Sequence, residues 1–244
     1  MKSNFEDKIK FLPCGDSAVT VEFSREISEQ VNAKIRYLAL MIERDRKKGI
    51  VECIPTFRSI TVFFDPLLIS IRKIVSYVSG LMSEYSELSA GEKRVFKIPV
   101  CYSGDHAPDM SDVEGITGLS RDEIVKIHTS RDYLIYMLGF LPGFPYLGGM
   151  DERIEAPRLD SPRTAIPEGS VGIGGKQTGI YPLASPGGWR LIGRTPVKIY
   201  DPKREEPIFY KAGDHIRFFE ISEQEFSDIA QDPAYVVECE VISK

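Results

Sequence analysis

Residues 169–179, GSVGIGGKQTG, carry glycines, a lysine and a glutamine in a pattern that suggests anion binding. The spacing excludes a Walker A loop, which needs Gly, four residues, then Gly-Lys-Ser/Thr. Ser170 stands where the first glycine belongs, and Gln177 where the hydroxyl belongs. The dinucleotide pattern G-x-G-x-x-G fails as well, because Gly172 and Gly174 are followed at the last position by Gln177. Two readings remain. The glycines serve a turn that needs positive φ, or the Gly172–Gly175 backbone offers a nest of N–H donors to an oxyanion or carboxylate, with Lys176 and Gln177 as side-chain contacts.

Arg158, Arg163, Arg190 and Arg194 fall in the same region. A guanidinium suits bidentate contact with carboxylate or phosphate, so with Lys176 they suggest a local anion site. Histidines number three, His106, His128 and His215, without the spacing of a metal site, and none is expected. His128 ends a capped helix, where a cation complements the helix C-terminus. It reads either as a packing histidine or as a proton-transfer group facing the glycine-rich loops. Ser185 is followed by Pro186, which argues for an extended loop rather than a nucleophile at a helix start. Trp189, the chain's one tryptophan, reads as core packing or as an aromatic pocket wall.

Elements must position these groups. Ala18–Phe23 alternates as a half-buried strand, and Ser28 caps a helix with Val31, Ile35, Leu38 and Ile42 on one face, ended by Gly49. Strands are expected over 50–54 and 59–64. After the Asp65-Pro66 break comes a second helix, with Ile74, Val78, Leu81 and Tyr85 inward. Residues 86–92, SELSAGE, read as a linker. A strand follows over 95–101, with Pro99 at its edge. Ser120 and Glu123 form a capping-box pattern before a short helix, and 133–138 is a strand. More than half of the 20 glycines lie between Gly139 and Gly193, and no helical period survives there. Short apolar pieces at 170–173, 189–192 and 197–200 suggest a small β-barrel or sandwich with functional loops. Strands at 216–220 and 236–241 flank a helix capped by Ser222. The expected fold is an α+β domain over residues 1–90, then a mainly-β domain over 91–244.

With 42% hydrophobic and 27% charged residues among 244, the chain is expected to fold. Its net charge of -5 argues against nucleic-acid binding. Cys14, Cys53, Cys101 and Cys239 form no C-x-x-C pair and read as reduced thiols. No apolar run is long enough to span a membrane, so a cytoplasmic location is expected.

One block is distinctive: GFLPGFPYLG at 139–148, Pro157-Arg158, Ser161-Pro162-Arg163, PEGSVG at 167–172, GKQTGIYP at 175–182 and SPGGWRLIGRTP at 185–196. It resembles the KipI-like family, of the allophanate hydrolase subunit 1 and carboxyltransferase-like type, which includes 5-oxoprolinase subunits of the PxpB kind. Gly15–Ala18 before the first strand and Phe64-Asp65-Pro66 agree. The resemblance implies a cyclophilin-like β-barrel as the second domain. It also implies a subunit of an ATP-dependent 5-oxoprolinase, a hydrolase complex opening 5-oxo-L-proline to L-glutamate with a PxpC-like (KipA-like) partner and a PxpA-like partner, and inactive alone. With no complete nucleotide motif in this chain, a partner subunit is open as the place where ATP binds. In that setting His128 would transfer a proton, and the Gly172–Gly175 backbone, with Gly174 and Gly175 as substrate contacts, Lys176, and Arg163 or Arg194 would steady charge. Gln177 and Tyr146 would orient substrate. The same resemblance admits two other roles: an inhibitor of a sensor histidine kinase, and a subunit related to allophanate hydrolase or urea carboxylase.

Overall fold

Alternation dictates the first sheet. In β4 (Ser59–Phe64) Ile60, Val62 and Phe64 are buried, and in β2 (Ala18–Glu22) Val19 and Val21 share that face. The computed structural model describes residues 9–86 and 93–242. Contacts divide the chain into Met1–Gly91 and Glu92–Lys244. The linker expected at 86–92 lies, after its first residue, outside the described residues.

In the first unit β1 (Lys10–Cys14), β2, β4 and β3 (Ile50–Pro55) pair antiparallel in the order β1-β2-β4-β3. Helices α1 (Glu29–Asp45) and α2 (Ile71–Ser83) supply Ile35, Leu38, Ile74 and Val78 to the core that Val19, Val21, Ile60 and Val62 form. Ser28 caps α1, accepting from the Val31 N–H at 3.2 Å. The helix ends three residues earlier than the expected Gly49 stop, because Arg46 takes the left-handed conformation and its N–H bonds Ile42 O. Gly49 instead makes the turn into β3 at φ 94, where a Cβ would lie 2.7 Å from Ile69. Tyr85 falls beyond α2 and packs its ring 5.3 Å from Tyr37.

The second unit contains β5 (Lys93–Val100), α3 (Met110–Thr117), α4 (Arg121–Thr129), β6 (Tyr133–Leu138) and β7 (Pro145–Gly148). Next come β8 (Arg163–Ile166), β9 (Ser170–Gly174), β10 (Gln177–Ile180), β11 (Ser185–Gly187) and β12 (Arg190–Arg194). The unit ends with β13 (His215–Glu220), α5 (Glu223–Gln231) and β14 (Cys239–Ile242). The main sheet runs β12-β9-β10-β7-β6-β13-β5-β14, and β8 pairs β11 in a separate ribbon. Past β5, Cys101 and Arg194 exchange both backbone hydrogen bonds at 2.9 Å. That bridge returns β12 to β5 and closes the strands into a ring around Ile98, Tyr133, Ile135, Leu147, Ile173 and Phe218.

Pro99 has a physical reason to sit where it does. The Lys97 N–H bonds Glu238 O and the Cys101 N–H bonds Arg194 O, so this edge of β5 is shared between two neighbours. Pro99, with no N–H to lose, occupies the gap between them. Two expected strands shift. The 197–200 piece makes only an isolated pair, Tyr200 with Ile208, and the last strand begins at Cys239 rather than 236.

Both capping boxes form, Ser120 with Glu123 and Ser222 with Glu225. They differ in what they hold. Helix α4 buries Ile124, Val125, Ile127 and His128, whereas α5 buries no residue fully. Ser120→Ala is therefore expected to lower the second unit's stability by about 1 kcal/mol, read from the urea midpoint. Ser222→Ala should shift that midpoint less and instead raise amide exchange within α5.

Candidate functional site

The glycines of β9 and β10 make a bare strip for Trp189. A Cβ at Gly174 would lie 2.5 Å from the indole Nε1, one at Gly172 3.2 Å from Trp189 Cβ, and one at Gly179 3.0 Å from the six-membered ring. The indole thus lies directly on backbone, which only glycine permits. Phe144 meets it edge-on at 5.4 Å and Tyr181 at 6.4 Å, while Tyr146 lies 5.2 Å from Phe144. Phe144, Trp189 and Tyr181 are buried and Tyr146 is half-buried. The group joins Ile166 and Leu191 in a cluster separate from the core inside the ring.

Cationic groups border this cluster. The exposed Arg158 places its guanidinium 5.8 Å above the indole, within cation–π range. Burial pushes the Tyr181 phenol above its ordinary range, while a backbone hydrogen bond at Trp189 and then the positive charges of Arg158 and Arg163 act the other way. One hydroxyl therefore lies within the fields of both arginines.

Carboxylates from the start of α3 hold two of the arginines. Arg163 Nη2 donates to Asp109 Oδ1 at 2.5 Å. Asp109 Oδ2 accepts from the Leu191 N–H at 2.6 Å, and the Asp109 N–H donates to Leu191 O. Arg190 Nη1 donates to Asp112 at 2.6 Å and its Nε to Pro157 O at 3.0 Å. Asp109 is 4% exposed, so its pairing offsets the cost of a buried charge.

The residues expected from the sequence separate into four places. Arg163 and Tyr146 belong to the aromatic and cationic face just described. Gly174, Gly175, Lys176 and Gln177 form a hairpin with a two-residue connection and positive φ at Gly175. Its glycines do not form a donor nest. The Gly175 N–H bonds Ala156 O at 2.8 Å, while Gly172 and Gly174 lie within the strand ladder. Lys176 stands at the tip with its side chain 84% exposed, 3.8 Å from Glu155. Arg194 closes the far end of β12, donating to Glu168 O, with its guanidinium 5.9 Å from the Phe226 ring.

His128 lies inside the ring, fully enclosed rather than facing a loop. Its Nδ1 pairs with Tyr102 Oη at 2.7 Å and its Nε2 with Thr178 Oγ1 at 2.8 Å. The ring stacks on Phe218 at 4.6 Å. Burial lowers its pKa to about 3, so the imidazole is neutral, one nitrogen donating and the other accepting. A capped helix with inward Ile124 and Ile127 was the signal for this position; the partners Tyr102 and Thr178 lie 26 and 50 residues away. The sequence reading did not select Tyr181 or Phe144. The only signal for them is the run of glycines that would admit a flat ring. Among the described residues no group of three or more His, Cys, Asp or Glu is placed to hold a metal ion. No helix among them is long and apolar enough to cross a membrane.

Comparison with known proteins gives a consistent set. Residues 9–210 match the family described as carboxyltransferase domain, subdomain C and D. The chain is 46% identical to a 5-oxoprolinase subunit of Bacillus subtilis, over 87% of this chain and 92% of that one. It is 41% identical to the corresponding 5-oxoprolinase subunit of Escherichia coli O157:H7, over 84% and 92%. The solved urea amidolyase of K. lactis shares the fold at TM-score 0.80 and 23% identity, over 99% of this chain and 17% of that one.

Two outcomes follow from this geometry. His128 binds a proton in the unfolded chain below its ordinary pKa of 6.5 but not in the fold until about pH 3. Its contribution therefore erodes as pH falls through that window, by at most about 1.4 kcal/mol per pH unit. His128→Gln should flatten the pH dependence of the second unit's urea midpoint between pH 6 and 4 while lowering it at pH 7.5. Gly174→Ala should displace the indole, shift the emission of the sole tryptophan and lower the thermal midpoint, whereas Gly115→Ala, with open space around its Cβ, should leave the emission unchanged.

Proposed function

Because the chain belongs to the carboxyltransferase-domain family of subdomains C and D, we propose that it works as the PxpB-type subunit of an ATP-dependent 5-oxoprolinase. The single observation that carries this reading is the match to two 5-oxoprolinase subunits of one type at 46% and 41% identity, each covered over 92% of its length. The reaction opens 5-oxo-L-proline to L-glutamate. The lactam is a resonance-stabilised amide, so hydrolysis is coupled to ATP cleavage. Transfer of the terminal phosphoryl group to the lactam oxygen makes the ring carbon electrophilic. Water then adds to that carbon, the ring C–N bond breaks as the nitrogen takes up a proton, and the resulting γ-glutamyl phosphate is hydrolysed by a second water to the γ-carboxylate and phosphate.

The closed ring of strands is a cyclophilin-like β-barrel in this reading, and its outer aromatic face with Arg158 and Arg163 meets the substrate. Half-buried Tyr146, backed by the buried Trp189 and Tyr181, presents flat apolar surface to a five-membered ring, and the arginines favour negative charge beside it. His128 acts as a positioning residue, holding Thr178 of β10 against Tyr102. In this reading the nucleotide binds on a partner subunit, in keeping with a glycine hairpin whose Gly175 N–H is already bonded to Ala156 O. The partners are a PxpC-like (KipA-like) subunit and a PxpA-like subunit, and the chain alone is inactive.

The test is ATP-dependent glutamate release by the reconstituted complex, with its components added back one at a time. Release should require this chain, and undiminished release without it would end the reading. Within the complex, Arg158→Ala should raise KM for 5-oxoproline several-fold, the loss of one exposed cationic contact, with the KM for ATP unchanged.

A further inference from the structure

The β8–β11 ribbon carries two buried polar atoms that the fold leaves without partners. Ser185 is 8% exposed, and its Oγ makes no hydrogen bond. Arg163 commits Nη2 to Asp109, while its Nη1 is buried and unpaired. The two residues sit on adjacent strands: Ser185 pairs with Ile166, Arg163 pairs with Gly187, and the register shifts between Ser185 and Gly187. This is also where the ribbon meets the aromatic face. A Cβ at Gly187 would lie 2.6 Å from Tyr181 Oη, and the same phenol feels the Arg163 charge.

Buried hydroxyls and guanidinium N–H groups are nearly always satisfied, because stripping them of water without replacement is costly. Two such atoms on one short ribbon, beside the face already described, call for a ligand. Both can donate, and one carries a full charge, so the complement is an anionic oxygen. Carboxylate and phosphate both offer that chemistry. A single charge with two donors matches a monoanionic carboxylate better than a polyphosphate. Asp109 fixes one end of the guanidinium, which holds the buried Nη1 in a set geometry. Ser185 does not read as a nucleophile, since no base touches its hydroxyl.

We infer that Ser185 Oγ and Arg163 Nη1 form the subsite that takes the carboxylate of 5-oxoproline. The inference rests on the functional reading above and adds the recognition of one substrate group. It gives Ser185 a binding role that a structural serine would not have. A hydroxyl that serves the ligand rather than the fold is a liability in the free protein, so its removal should not harm stability.

The test uses the full complex with Ser185→Ala and, separately, Arg163→Lys. Ser185→Ala should raise KM for 5-oxoproline about tenfold, as expected for one charge-assisted hydrogen bond. The KM for ATP and the kcat should stay within about twofold, and the thermal midpoint of the isolated chain should hold or rise. Arg163→Lys keeps the charge, loses the second edge, and should act in the same direction. A rise in KM for ATP instead would assign the subsite to phosphate and overturn the inference. An unchanged KM for 5-oxoproline would mean that water satisfies these atoms, and a lowered midpoint with lowered activity would make Ser185 structural; either overturns it too. If Arg163→Lys fails to fold for want of the Asp109 pair, Ser185→Ala decides alone. Failure of the functional reading is distinguishable, since the wild-type complex would then release glutamate without this chain.

Discussion

An indole resting on bare backbone organises the second unit's outer face. Trp189 is admitted by the missing side chains at Gly172, Gly174 and Gly179, and it in turn backs Phe144 and Tyr181. Within the glycine-rich run from 169 to 179 these three glycines are therefore steric in purpose. Each glycine weakens its strand slightly through chain entropy, and the aromatic contact on the other side offsets that cost. A run that looks like a phosphate cradle in one dimension is, in three, the flat floor beneath a ring.

Charge is arranged around that floor with a clear division of labour. Asp109 and Asp112 hold Arg163 and Arg190 through short contacts, and Asp109 also receives the Leu191 amide beside Trp189. One buried carboxylate thus ties the start of α3 to β12 and to the β8–β11 ribbon. Arg158 stays exposed above the indole. The neutral His128 works on the opposite side of the strands, joining Tyr102 and Thr178 inside the ring. The sheet separates a polar contact that serves packing from a cationic edge that borders the aromatic cluster.

Local rules carried the serine-capped helices, while α3, without a side-chain cap, was not read from the sequence. Ser28, Ser120 and Ser222 each cap where their neighbours indicate, because a cap is decided within four residues. Strands with regular alternation, such as Ser59–Phe64, were legible for the same reason. The strands β7, β10 and β11 are three or four residues long and rich in glycine or proline, so they carry no period of their own. They exist because distant strands pair with them. The candidate site divides likewise. Arg163 was singled out by residue type and Tyr146 only by the family resemblance, whereas the enclosure of His128 depends on Tyr102, Thr178 and Phe218, none of them near it in the chain. Lys176 and Arg194 share a loop region with Arg163 in sequence, yet one tops a hairpin and the other closes the far end of β12.

The placement of β5 bears on how the chain is made. It runs parallel to β13 on one side and antiparallel to β14 on the other, and both of those strands are drawn from the final thirty or so residues. A ribosome emits β5 more than a hundred residues before either neighbour exists. During that interval its apolar positions Val95, Phe96, Ile98 and Val100 have no sheet to join. Such an unpaired strand is prone to associate with other nascent chains, so premature termination after β12 would release a sticky fragment instead of a shortened barrel. Chaperone dependence during translation, rather than after it, is the signature this topology should leave.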